Sequence, residues 1–184
     1  VPAALSRPSD DAAIKYRLDV VACSPADVVR AAGGWLYDRV RAGWAVNVLL
    51  PQQCDTRPLQ ILGARVAHLE SHFRRATTGV AVRGLAVSAE MFTSDPRIRD
   101  EVLKALDRRM TEVTLWDDGW PLGVGHRTTT VQHVLSAAAR AFKRHALTAA
   151  GISAGDSSEV GPTETLRSDL KTCLPVDSEL VPVG

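Results

Sequence analysis

Tyr16-Arg17-Leu18-Asp19-Val20-Val21-Ala22-Cys23, followed by Ser24-Pro25-Ala26-Asp27 and then by Ala45-Val46-Asn47-Val48-Leu49-Leu50, reads as strand, helix and strand. The first run is short and β-branched at its centre. Ser24 with a proline behind it and Asp27 three residues on is a capped helix start. A strand–helix–strand unit of this length closes as a parallel crossover, so the expected fold is α/β and layered. The turn after the first strand, where such folds often hold a phosphate, carries no glycine.

Working outward, the first helix is expected over 25–41, with Val28, Ala32, Trp35 and Leu36 on one face and Gly43 as its stop. Gly33-Gly34 in its middle costs about 1 kcal/mol per glycine against alanine, so either the helix breaks there or its backbone lies close against the sheet. Leu59, Leu62, Val66, Leu69 and Phe73 step by three and four, which predicts a second helix from about 56 to 75. A third strand follows at 80–89. Asp95-Pro96 then opens a helix lined by Ile98, Val102, Leu103, Leu106 and Met110. A fourth strand is expected at 111–116. The longest helix is expected at 129–150, with Val131, Val134, Leu135, Ala138 and Phe142 inward and Gly151 as its cap.

Four strands alternating with four helices give a small doubly wound, mostly parallel four-stranded sheet with helices on both faces, Rossmann-like or flavodoxin-like. The expected organisation is a flexible lead at 1–13, a single α/β domain at 14–151 and a flexible tail at 152–184. The tail is polar, with one short helix near 165–172.

The chain has 184 residues, enough for one domain with a sizeable core. A formal charge of +1 and arginines gathered near helix ends speak against nucleic acid as a partner. No run approaches the roughly 18 apolar residues a membrane span needs, and no secretory signal is evident, so a cytoplasmic location is expected. Cys23, Cys54 and Cys173 are odd in number and widely spaced, which suits neither a disulfide framework nor a cysteine-rich zinc site.

In an open parallel sheet ligands bind beyond the carboxyl ends of the strands. That rule gathers Cys23-Ser24, Pro51-Gln52-Gln53, Ser88-Ala89-Glu90 and Asp117-Asp118 on one edge. Asp117 and Asp118 are candidates for holding Mg²⁺ beside a phosphate or for acid–base work, although Asp-Asp-Gly before proline is also ordinary turn chemistry. Cys23, at a helix N-terminus, is a candidate nucleophile or a small buried hydrophobe. Ser24 is a candidate hydroxyl already occupied as a cap. Gln52 and Glu90 are candidate ligand-binding residues. So are Gly125, Arg127 and Thr128, in a loop at 123–130 that feeds the expected long helix and offers an anion seat.

His68 and His72 share a helix face at the spacing zinc uses, but no third ligand is identifiable. The leading expectation from sequence is a module without catalytic equipment that binds a protein partner or a small molecule at the strand-end edge. The rival is a phosphate- or nucleotide-handling enzyme with Asp117 and Asp118 on a divalent metal. A third reading is a homodimer joined through Trp35, Trp44 or Trp120.

Overall fold

The computed structural model describes residues 16–74, 82–152, 160–169 and 180–183. The lead at 1–13 lies outside them. The first crossover is as the sequence spells it: β1 (Tyr16–Val21), α1 (Pro25–Arg41) and β2 (Trp44–Leu50), with β1 and β2 parallel. Ser24 caps α1 by accepting the Asp27 N–H at 3.3 Å, and Gly43 follows the helix at φ 91°.

The expected helix at 56–75 is three pieces instead: α2 (Arg57–Ile61), β3 (Arg65–His68) and α3 (Leu69–Arg74). Gly63 sits at φ 81°, where a side chain is strained, and a Cβ there would lie 2.9 Å from Val40. The chain therefore turns at Gly63, and β3 pairs with β2 in parallel. The stripe of apolar residues is real, but no single helix carries it.

β4 (Val82–Ser88), α4 (Ala89–Ser94), α5 (Pro96–Arg108) and β5 (Glu112–Trp116) follow. Asp95 caps α5, accepting the Arg97 N–H at 2.9 Å, and Ile98, Val102 and Leu106 are its buried face. Met110, expected inward, lies beyond the helix end and is exposed.

The largest departure comes next. The expected helix at 129–150 begins as a strand, so that after the short α6 (Leu122–Gly125) come β6 (Thr129–Val134) and α7 (Ala137–Ala149), with Ser136 as N-cap. Val131 and Leu135 are buried as expected, whereas Val134 and Phe142 are exposed. The β-branched run at 128–131 and the Ser136 cap together override the helical pattern.

The sheet also continues beyond the boundary expected at residue 151. β7 (Thr163–Ser168) and β8 (Leu180–Pro182) belong to it, and β7 replaces the short helix expected near 165–172. The result is one eight-stranded sheet in the order β3-β2-β1-β4-β5-β7-β6-β8, where four strands were expected. The five strands from β3 to β5 are mutually parallel, and β7 opposes both β5 and β6. The order 3-2-1-4-5 within that parallel part is the Rossmann arrangement rather than the flavodoxin one.

Two apolar clusters cover the two faces. One joins α1, α2 and α7 to the sheet through Trp35, Leu36, Leu59 and Leu147. The other joins α3, α4 and α5 through Leu69, Phe92, Ile98 and Leu106.

The paired glycines of α1 are explained by close approach. A Cβ on Gly34 would stand 2.4 Å from Leu135, and the Gly34 and Trp35 N–H groups donate to the buried Glu164 carboxylate of β7 at 2.8 and 2.7 Å. Gly34→Ala is expected to lower stability by about 1–3 kcal/mol through overpacking, read from the urea midpoint.

Trp35 and Trp44 are both buried, and the Arg39 guanidinium lies over both rings while its NH2 reaches Glu112 at 3.0 Å. They are core residues and offer no homodimer contact. Among the described residues, no helix is long and apolar enough to cross a membrane.

Candidate active site

The sheet reverses direction of winding between β1 and β4, and a crevice opens beyond the carboxyl ends of those strands. The residues there are set by three strand ends. After β1 come Cys23, Ser24 and the first turn of α1 with Asp27. After β4, Ser88 caps α4 by accepting the Met91 N–H at 3.3 Å and places Glu90 in its first turn. After β5, Asp117 stands at φ 66°, a left-handed conformation uncommon for aspartate. A cleft of about 360 Å³ is lined by Cys23, Gln52, Leu69, Glu90, Met91 and Arg97 among others.

Asp27 is the centre of the group. One of its oxygens, Oδ1, accepts the indole N–H of Trp116 at 3.0 Å, and the other, Oδ2, is buried with no hydrogen-bond partner. Burial raises the Asp27 carboxyl above the ordinary aspartate range. The hydrogen bonds from Trp116 and from the Cys23 backbone work against that rise, and the charge of Glu90 adds to it. Asp117 is raised by partial burial and by the charges of Asp27, Asp118 and Glu90. Asp27 and Asp117 thus feel the charge of Glu90, the one of the three that lines the cleft, and Asp117 feels that of Asp27 as well.

Cys23 adjoins the same set, and its thiol is pushed up to about 12 by burial, then by hydrogen bonding to Glu90 and by that charge. It is a thiol at neutral pH, which removes it as a nucleophile. Iodoacetamide at pH 8 is expected to modify the exposed Cys54 well before Cys23, as read by peptide mass mapping.

Several expected site residues lie elsewhere. His68 ends β3 and His72 sits in α3, so the shared helix face on which the zinc spacing rested does not exist. His68 Nδ1 accepts the Glu70 N–H at 3.3 Å, and His72 lies 3.5 Å from Glu101 and 3.9 Å from Asp19. The anion seat at 123–130 fails for a plain reason. Arg167 of β7 fills that loop, donating to the carbonyls of Gly125 and Thr128, each at 3.0 Å, and to the Thr128 hydroxyl at 3.1 Å. What the loop presents is acceptors to a cation of its own chain. Arg127 pairs with Asp107 in the last turn of α5, the end that leads back to the start of β5, away from the strand carboxyl ends.

Of the expected residues, Cys23, Gln52 and Glu90 line the cleft, Ser24 follows Cys23 as the cap of α1, and Asp117 and Asp118 are exposed after β5. Sequence reasoning missed Asp27 and Trp116. Asp27 read as a capping-box acid, and Trp116 only as the last residue of the strand expected at 111–116. The available signal was that both stand at strand ends of a parallel sheet.

No family model and no curated protein sequence matches the chain. Solved structures do match in fold. A deacetylase triple mutant of the teicoplanin biosynthetic pathway superposes with a TM-score of 0.56 at 14% identity, over 83% of this chain and 97% of that one. The A40926 pseudoaglycone deacetylase gives 0.53 at 14% identity, over 88% and 99%. A zinc-inhibited form of a teicoplanin deacetylase gives 0.52 at 13% identity, over 83% and 97%.

The chain therefore has the Rossmann-like fold of these deacetylases. That finding overturns the expectation of a module without catalytic equipment, because the solved structures it matches are deacetylases. The metal that one of them carries as inhibitor finds no counterpart in the donors here. Among the described residues no three His, Cys, Asp or Glu side chains converge to hold an ion, and the strand-end set contains no histidine. These residues do not fit a zinc centre, nor do Asp117 and Asp118 form a Mg²⁺ site with a third protein ligand.

Proposed function

We propose that the chain is a hydrolase that removes an acyl group from the nitrogen of a small molecule bound in the strand-end cleft. The observation that carries this reading is the carboxyl set of Asp27, Glu90 and Asp117 at the switch point of a fold shared with deacetylases.

The chemistry needs one proton moved twice. The set accepts a proton from a water as its oxygen bonds to the acyl carbon. It then returns that proton to the nitrogen as the carbon–nitrogen bond breaks, giving an acid and an amine. A carboxyl whose proton affinity is raised, as burial raises that of Asp27, suits both halves. Glu90 lines the cleft, and the Asp27 carboxyl, its proton affinity raised first by burial, feels the Glu90 charge. The teicoplanin complex of one matched deacetylase supports a small-molecule substrate over a protein partner.

The test is amine release from a panel of N-acylated amino sugars and N-acylated amino acids. Glu90→Gln is expected to lower kcat/KM by about 10²-fold or more. A chelator is expected to leave the rate unchanged, given the donor set. Wild-type protein inert across the panel would overturn the reading.

A further inference from the structure

Trp116 is the last residue of β5, 2% exposed, and it lies beside Ser88 across the β4–β5 pair. Its indole N–H passes over the end of β4 to reach Asp27, which follows β1 on the far side of that strand. A tryptophan this deep in a core normally spends its N–H on a nearby carbonyl. Here the donor is committed at 3.0 Å to a single carboxylate oxygen of the proposed site.

We propose that Trp116 is a positioning residue for this site: its indole N–H clamps Oδ1 of Asp27 and so leaves Oδ2 as the oxygen that handles the proton. The inference rests on the hydrolase reading for its purpose and on geometry alone for its substance. A carboxylate has two nearly equivalent oxygens and a free rotor. Fixing one oxygen from a rigid strand end decides where the other points. Without the clamp both oxygens become interchangeable, and the group keeps its charge while losing its aim.

The groups facing Asp27 are Glu90 from α4, Asp117 after β5, and the Cys23 backbone and thiol from the β1–α1 turn. All the ionisable ones among them are acidic. The Trp116 N–H is therefore a neutral donor set against a field of negative charge, and it lowers the proton affinity that burial and Glu90 raise.

Replacing Trp116 by Phe removes the donor and keeps an aromatic ring. The experiment is a ¹³C NMR titration of the Asp27 carboxyl in wild type and Trp116→Phe, with no substrate present. The expected result is an upward move of the Asp27 midpoint by about one pH unit, the size of a net hydrogen bond to the charged form. The acid limb of the kcat/KM profile should move with it. A carboxyl midpoint left where it was, or an Asp27 midpoint that moves in an active enzyme whose kcat/KM keeps its wild-type plateau and acid limb, overturns the proposal.

If the Phe variant fails to fold, benzothienylalanine at position 116 swaps the N–H for sulfur at nearly constant volume and gives the same reading. Because the titration needs no turnover, the two ideas fail separately. A shifted midpoint in a protein inert to every N-acyl substrate sinks the hydrolase and keeps the clamp. An unshifted midpoint in an active enzyme does the reverse.

Discussion

Glu164→Ala is expected to leave the chain largely unfolded at room temperature. Glu164 is buried in β7, and its carboxylate accepts three donors: the N–H groups of Gly34 and Trp35 in mid-α1, and Lys143 Nζ of α7 at 2.5 Å. Lys143 is also buried, and its other hydrogen bond goes to the Arg30 carbonyl at 2.7 Å.

Removing the carboxylate strands a buried ammonium, at about 3–5 kcal/mol for a broken buried pair. It also takes an acceptor from two buried N–H groups, at about 1–3 kcal/mol each. Together that is about 5–11 kcal/mol, comparable to the roughly 5–15 kcal/mol that holds a domain together. Lys143→Met should cost less, because Glu164 keeps two of its three donors. The double change Glu164→Gln with Lys143→Met should recover part of the loss, since no charge is left unpaired. Urea midpoints for the four proteins check the ordering, and a Glu164→Ala protein with a wild-type midpoint would show that the pair is idle.

Asp27→Asn should do the opposite of a core mutation by destroying turnover without harming the fold. General acid–base groups contribute about 10²–10⁴-fold, so kcat/KM should fall into that range. For stability the sign follows from the raised carboxyl. The folded state binds the Asp27 proton more tightly than the unfolded chain does. That contribution is full below the unfolded value of about 3.9, and it is lost as pH rises through the higher folded one.

At neutral pH the wild-type carboxylate is thus a net burden on the fold. Asparagine removes it and keeps an oxygen for the Trp116 N–H. The melting temperature of Asp27→Asn should equal or exceed that of wild type at pH 7, and the gain should vanish below about pH 4. A lower melting temperature at pH 7 with turnover intact would assign Asp27 to structure.

The sequence made the first crossover plain because Ser24, Pro25 and Gly43 are local signals that tertiary contacts had only to accept. It misled at 56–75 because a stripe at helical spacing does not report a Gly63 that must turn at positive φ under Val40. The expected helix at 129–150 failed for a related reason. The Ser136 cap sits inside the run, and the strand before it forms only because β7 and β8 arrive to pair with it.

The polar composition of β7 concealed a strand, since Glu164 and Arg167 are there to satisfy Gly34 and the 125–128 loop rather than water. At the site, Glu90 and Asp117 were legible as strand-end acids. Asp27 was not, because its capping position explained it too well. Trp116 was not, because a hydrogen bond across an intervening strand leaves no trace in spacing.

The placement of β7 also governs how this protein can be made. Its hydrogen bonds fill the gap between β5 and β6, and the Glu164 anchor reaches a glycine 130 positions earlier. A nascent chain leaving the ribosome thus carries an unzipped seam, with bare amides along β5, until β7 has been translated. Newly made molecules of this kind should be customers for holding chaperones, and ribosomes stalled after residue 151 should yield aggregates rather than a smaller folded domain.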